Sequence, residues 1–436
     1  MRKKSIDIVI GANYGDEGKG QYTYTLAKKY AEEDKGSSTV VFLNNGGSQR
    51  GHTVTTTKDT THIFHHFGSG TFAGAATYCT KNFILNPIMF AEEYNEIKQL
   101  LPREGIEDMP SLFIESDCLL TTPYDMIFNQ IKSKLKNRKD TCGFGIYETM
   151  LGGLTLHRYL KEKDVVDLMK TIKQNKLEEA YIEFSKEEVD EAFKEYMIDV
   201  DETMLLERYE KDVSFMLEHV KLVDVDHYLI DDPYDHYIIE NGQGLELDFF
   251  RDRHFGTPSL TGLNGCMNIL VDISKSVGGV ANVDIKPHFI TRWYITRHGD
   301  GHINGMYPFK DEKEYIQSIL NQYDTTNVTN PNQGSIRFKI LSPEKIVESI
   351  IDHLQNPGFM FGCFDITDLI IIRQILDELI SNFSIIVTWA NHHSVDRVDS
   401  FYDLFRYNIE RYCSTVKADD LISINHDTYV EITFKH

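Results

Sequence analysis

The run Ile6-Asp7-Ile8-Val9-Ile10 is short and rich in β-branched residues, and it leads directly into a glycine-rich turn from Gly11 to Gly20. Tyr22 to Glu33 behind that turn reads as a helix. A strand, an anion-type loop and a helix in that order constrain the fold more than any other feature. They commit the start of the chain to an α/β arrangement, in which the first strand lies inside a sheet and the turn opens at its edge.

The pattern repeats downstream. Thr39 to Leu43 reads as a second strand, again followed by glycines, Gly46-Gly47. Ile63–Phe67, Phe83–Leu85, Phe113–Glu115, Tyr237–Glu240, Phe289–Thr296, Phe359–Phe364 and Ser384–Trp389 are further strand candidates. Pro87 to Leu101 reads as a helix with proline in its first turn. Residues from about 160 to 222 hold Glu, Lys, Asp and Leu at helical spacing with almost no Gly or Pro. They read as an insertion of amphipathic helices whose charge runs are solvated faces. No repeat or low-complexity linker divides the chain. The expectation is one α/β domain over 1–436, with a large, mostly parallel sheet and helices on both faces.

The 436 residues carry 45 Lys and Arg against 67 Asp and Glu, a formal net charge of −22. A nucleic-acid backbone would be repelled by most of such a surface, so no nucleic-acid partner is expected. A small anion can still bind in a local positive pocket. No apolar run is long enough for a membrane helix, and Asp7 interrupts the run after the basic start, so neither a membrane span nor a signal peptide is expected. Six scattered cysteines without a C-x-x-C pair fit reduced thiols in the cytoplasm.

Two loops carry the chemistry. Gly15-Asp16-Glu17-Gly18-Lys19-Gly20 follows the first strand. Its glycines let backbone N–H groups approach phosphate oxygens, the helix start adds partial positive charge, and Lys19 adds a full one. It is not a Walker loop, because the spacing differs and no Ser or Thr directly follows Lys19. A carboxylate inside an anion-binding turn repels phosphate unless it holds Mg²⁺ or takes a proton from the substrate. The second loop, Asn45-Gly46-Gly47-Ser48-Gln49-Arg50-Gly51-His52-Thr53, follows the second strand and belongs at the same sheet edge. His and Asp in one pocket can act together as acid and base.

At these residues the sequence resembles the adenylosuccinate synthetase family, in Tyr14–Gly20 and Gly46–Thr53. The likeness continues through Gly68-Ser69-Gly70, Leu85-Asn86-Pro87, Thr141–Ile146 and Glu240-Asn241-Gly242-Gln243-Gly244 with Asp248, and weakens after about residue 300. It implies the family's fold, which is P-loop-NTPase-like, and a ligase that joins aspartate to a purine monophosphate. Asp16 would take the N1 proton, His52 would assist at the 6-oxygen, and Lys19 would neutralise the transferring phosphoryl group. The triphosphate would lie on Gly15, Glu17, Gly18, Lys19, Gly20, Gly51 and Thr53, with Asp365 reading its base. Mg²⁺ would be held by Asp16 and the carbonyl of Gly51. Thr141, Cys142, Gln243 and Thr261 would hold the monophosphate. Arg158 is the nearest candidate for the arginine that the family sends across a homodimer interface. Gln333, Ser335 and Arg337 would meet the amino acid.

The departures bear on the substrates. Cys363 stands at a lysine that packs on guanine in the family, although Asp365 remains. Only Arg337 clearly survives of an arginine-rich aspartate loop, and Gln49-Arg50 replace a small Asn-Ala pair beside His52. Cys142 replaces a threonine. A viral branch of the family uses dGMP and ATP in place of IMP and GTP, and often has Ser where Asp16 stands. This chain keeps Asp16, so it lies between the branches, as a diverged phage member would. IMP or dGMP, and GTP or ATP, stay open. So does a different class, a nucleotide sensor without turnover.

Overall fold

The computed structural model describes residues 3–33, 38–137, 141–223, 234–249, 260–292, 294–298, 303, 337–356, 358, 364–388, 421–425 and 429–435. In chain order these form β1 (Lys4–Gly11), α1 (Lys19–Glu33), β2 (Thr39–Leu43), the hairpin β3 (His52–Thr55) and β4 (Thr61–Phe64), β5 (Ala76–Cys79), β6 (Ile84–Leu85) and α2 (Pro87–Glu104). Next come β7 (Leu112–Glu115), β8 (Leu119–Leu120), α3 (Pro123–Lys136), α4 (Ile146–Gly152), α5 (Leu156–Lys161), α6 (Val165–Glu183), α7 (Lys186–Tyr196), α8 (Glu202–His219) and β9 (Lys221–Val223). The remainder is β10 (His236–Gly244), α9 (Leu263–Ser276), β11 (Val283–Arg292), β12 (Tyr294–Arg297), β13 (Arg337–Ile340), α10 (Pro343–Gln355), α11 (Ile366–Ser381), β14 (Asn382–Thr388), β15 (Leu421–Asn425) and β16 (Tyr429–Lys435).

Ten strands form one sheet in the order β15-β16-β14-β11-β1-β10-β2-β5-β7-β9. From β14 to β9 all neighbours run parallel, and β15 and β16 close one edge antiparallel. Side chains in β1 alternate between two cores. Ile6, Ile8 and Ile10 pack with residues of α9, α10 and α11, while Val9 packs with residues of α1, α2 and α3. Burial on both faces explains why the central strands read as unbroken apolar runs. Helices α6, α7 and α8 share the second core, so the helical insertion packs beside α2 and α3.

The strand order sets the site. β10 and β11, distant in sequence, lie on either side of β1 and pair with it in parallel. The loops after β1, β2 and β10 therefore open at one edge, where ligands bind in sheets of this kind.

Three element readings need correction. The strand read as Ile63–Phe67 ends at Phe64, because the N–H groups of His65 and His66 each donate to the Glu93 carboxylate at 2.7 Å. Phe289–Thr296 is two strands: β11 lies in the large sheet, while β12 pairs antiparallel with β13. The helical stretch stops short of 222, since Lys221 begins an edge strand. Residues 359–363, Trp389, Gln333 and Ser335 lie outside the described residues. Among those described, no helix is long and apolar enough to cross a membrane.

Candidate active site

The loop after β1 is a nest that already holds a carboxylate. Glu17 is buried, and its Oε1 accepts from the N–H groups of Asn13 at 3.1 Å and Gly15 at 2.8 Å. Its Oε2 accepts from Lys19 Nζ at 2.6 Å. A Cβ on Gly11 would meet Glu17 Oε2 at 2.6 Å and Lys19 Nζ at 2.8 Å, so only glycine lets this pair close over the strand end. Lys19, the residue expected to meet phosphate, pairs with Glu17 in the free protein, as a buried ammonium takes the nearest carboxylate. The loop is pinned from above. Thr296 Oγ1 donates to Gly15 O at 2.8 Å, Thr388 Oγ1 donates to Glu17 O at 2.6 Å, and Arg297 stacks 4.6 Å from the centre of the Tyr14 ring.

Asp16 sits at the crest of this loop with φ of 61°, a left-handed backbone that turns its side chain out of the nest. About a third of that side chain is exposed, and Oδ2 lies 3.2 Å from His298 Nε2. Burial pushes the carboxyl up. The hydrogen bond and charge of His298, with Arg292 and Lys19 behind them, outweigh that and bring it to about 2. Asp16 is therefore ionised. A part-exposed carboxylate is the kind of oxygen ligand by which Mg²⁺ is held together with phosphates and water. Gly51, whose carbonyl is the other expected ligand, is exposed. Among the described residues no group of three or more His, Cys, Asp or Glu could hold a metal without help from substrate.

His52 begins the hairpin after the second loop. Its Nδ1 lies 2.6 Å from Glu240 Oε1, and since a carboxylate only accepts, Nδ1 carries the proton. Glu240, on β10, is buried and also takes Arg50 Nη2 at 2.8 Å, Ser69 N at 3.0 Å and the Ser69 hydroxyl. Burial opposes its charge, but Arg50 and His52 hold its carboxyl well below the usual range. Burial and then Arg50 press His52 down to about 4, against the pull of Glu240. His52 is thus neutral in the free protein, oriented through Nδ1, with Nε2 left for a ligand. A Cβ on Gly20 would sit 2.8 Å from His52 Cβ, so the ring lies against the first turn of α1. Asp16 and His52 share the sheet edge, and the Lys19 charge acts on both.

The remaining expected residues divide. Gln243 has φ of 60° and a buried Oε1 without a partner among the described residues. Thr141 donates to Asn129 Oδ1 at 2.6 Å, and Cys142, half-buried, follows it. A Cβ on Gly47 would touch Ile146 Cδ1 at 3.0 Å, so this segment borders the second loop. Thr261 is fully buried, and its hydroxyl donates to Gly244 O at 2.9 Å. Thr53 is half-buried opposite Ile63 in the hairpin. Arg337 pairs in register with Arg297, which places it on the strand beside β12, and β12 borders the first loop through Thr296.

Two expected residues lie on the surface of the chain. Arg158 is exposed in the last turn of α5, as a residue sent across a subunit interface would be. Asp365 is exposed and caps α11, its Oδ1 accepting from Thr367 N at 2.7 Å and Asp368 N at 2.9 Å. Sequence reasoning missed Glu240 and His298 as partners. Glu240 stood inside a recognised motif and was a buried-strand carboxylate, which is a signal in itself. Nothing local marked His298, which lies 282 residues from Asp16.

An anion nest after the first strand, with a carboxylate-held imidazole one loop away, defines an α/β nucleotide-site protein rather than a plain structural sheet. The sequence model of the adenylosuccinate synthetase family matches residues 8–335. The chain belongs to the adenylosuccinate synthetase family. The adenylosuccinate synthetase of Clostridium botulinum is 34% identical over 143 residues, 32% of this chain and 30% of that protein. Adenylosuccinate synthetase 2 of Methanosarcina acetivorans is 26% identical over 301 residues, 67% of this chain and 64% of its own length. The chain thus aligns over less than two thirds of these curated relatives. Among solved structures, fully ligated adenylosuccinate synthetase from Plasmodium falciparum has a TM-score of 0.54 at 18% identity, covering 79% of this chain and 74% of that one. The succinoaminodeoxyadenylate synthetase of cyanophage S-2L, bound to dGMP and to dATP as an energy donor, has a TM-score of 0.53 at 12% identity, covering 93% and 100%. These likenesses extend the fold over most of the chain.

Proposed function

We propose that the protein is a C–N ligase that activates the 6-oxygen of a purine monophosphate, IMP or dGMP, with GTP or ATP, and then joins aspartate to C6. The observation that supports this most is the ionised Asp16 and the Glu240-oriented His52, with the Lys19 charge acting on both.

A lactam oxygen is a poor leaving group until it is phosphorylated. The N1 proton passes to Asp16 as O6 attacks the γ-phosphorus and the bond to the diphosphate breaks. A carboxyl held near 2 is a weak base, so this transfer gains its driving force from the simultaneous capture of phosphorus by O6. Negative charge brought by two nucleotides favours the imidazolium form of His52, with Glu240 fixing the ring, and Nε2–H then donates to O6. The aspartate amine adds at C6, inorganic phosphate leaves, and a succino-purine nucleotide results. For Lys19 and the N–H groups of residues 13 and 15 to meet phosphate, the Glu17 carboxylate has to yield part of its nest. Asp16 and the Gly51 carbonyl would hold Mg²⁺, which supplies charge neutralisation on the phosphates. Arg337 is the side chain for one aspartate carboxylate. The reading carries a cytoplasmic homodimer from the family resemblance.

The test is an incubation with aspartate, Mg²⁺ and each pairing of IMP or dGMP with GTP or ATP. Phosphate release together with a shift of purine absorbance to longer wavelength supports the reading and names the pair. Nucleotide binding with no phosphate release in any pairing would make the chain a sensor instead.

A further inference from the structure

Arg50 stands where the family resemblance leads one to expect a small residue, and it is only 4% exposed. Its Nη2 lies 2.8 Å from Glu240 Oε2 and 2.9 Å from His52 Nδ1. Its Nε and Nη1 are buried and have no hydrogen-bond partner among the described residues. A guanidinium cannot shed its charge, and each buried donor left unmade costs free energy. Glu240 uses one part of the fork, which leaves the rest for an acceptor outside the protein.

The position of Arg50 narrows what that acceptor is. It stands on the loop after β2, while Lys19 belongs to the loop after β1, and β10 runs between those two strands. Two cationic centres therefore sit on opposite sides of one strand, and the reaction brings two phosphate-bearing substrates. Next to Arg50 in the chain, Ser48 Oγ and Gln49 Oε1 are buried atoms without a hydrogen-bond partner among the described residues, as is Gln243 Oε1. A Cβ on Gly242, next to Gln243, would lie 3.9 Å from Arg50 Cβ. In the free protein Lys19 is paired with Glu17.

We propose that Arg50 is the cation that binds the phosphate group of the purine monophosphate, supplied by the same subunit that carries His52. The inference rests on the ligase reading, since that is what brings a second phosphate to this loop. Arg50 is a binding residue with two duties: it braces Glu240 and receives phosphate oxygens through Nε and Nη1.

Calorimetric binding of IMP against inosine, and of dGMP against deoxyguanosine, separates the duties, because only the nucleotides carry the phosphate. In the unaltered protein the preferred nucleotide binds at least about 100-fold more tightly than its nucleoside. Arg50→Ala is expected to cut that ratio at least tenfold while nucleoside binding changes little, and Arg50→Lys to recover part of it. If Arg50→Ala does not fold, Arg50→Gln, which keeps a donor without the charge, gives the same readout. A nucleotide-to-nucleoside ratio unchanged in the variant overturns the proposal even where both ligands bind. Failure of the unaltered protein to bind any purine ligand overturns the ligase reading, and this inference with it.

Discussion

Glu240 accepts from His52 Nδ1, Arg50 Nη2 and both polar groups of Ser69. With this many donors its charge is retained in a buried strand, and the imidazole is left one orientation and one free nitrogen. Glu240→Gln keeps the volume but offers an N–H where His52 and Arg50 need an acceptor. We expect kcat to fall at least about tenfold, with nucleotide Kd changed much less, as when the partner that orients a functional histidine is lost. A kcat within twofold of the unaltered protein would show that His52 needs no such support. At this scale the sequence disclosed the groups but not the pairs. Asp16, Lys19 and His52 were visible because glycines around a charged residue after a strand mark a ligand loop. The Glu17–Lys19 pair is local to the loop, but the His52–Glu240 and Asp16–His298 pairs depend on which strands lie beside β1, and that is decided by packing across the whole chain.

The helices between residues 165 and 219 read as solvated, and for most of their charges the structure agrees. Asp212 on α8 is buried, and so is Lys176 on α6. Lys176 is 2% exposed and lies 3.2 Å from Asp125 Oδ1 on α3 and 3.5 Å from Glu148 Oε2 on α4. Lys132 of α3 reaches the same glutamate at 3.2 Å. This cluster fastens α6 to the two helices that flank residues 141–145. Burial already pushes the Asp125 carboxyl up, so it depends on its cation. Lys176→Ala leaves two buried carboxylates short of positive charge, and we expect a loss of about 3–5 kcal/mol in chemical denaturation. Lys170→Ala, which breaks an exposed pair with Asp167 on the same helix, should cost under about 1 kcal/mol. Equal effects would mean that the cluster carries no structural weight. Helical spacing alone placed Lys176 among solvated residues, because nothing in an i, i+4 pattern tells which polar face meets another helix.

Across the molecule, the sheet ties its N-terminal centre to its C-terminal edge. Glu431 on β16 accepts from Lys286 on β11 at 2.8 Å and from Ser384 on β14 at 3.0 Å. Burial raises its carboxyl, but Lys286, then His288 and Thr433, hold it down to about 2. A folded value below the unfolded one stabilises the fold above about pH 4.5, and that stability is lost as pH falls toward 2. The contribution is up to about 3 kcal/mol, and Glu431→Gln should flatten the acid limb of a stability-against-pH curve by that order. An unchanged acid limb would remove Glu431 from the account.

The α/β class, the first two loops and the helical stretch were legible from strand runs, glycines and helical spacing. The strand order was not, because a parallel neighbour is joined through crossovers of any length. β5 was missed since Ala76-Thr77-Tyr78-Cys79 is four residues without an apolar alternation. α9 to α11 were missed since their apolar faces read equally as strand core.

The central claim is that the purine 6-oxygen itself captures the transferred phosphoryl group. It is tested by supplying the purine monophosphate labelled with oxygen-18 at the 6-position and analysing the released phosphate by mass spectrometry. The account predicts that each phosphate carries the label and that the product has lost it. Unlabelled phosphate accompanying a succino-purine product would contradict it.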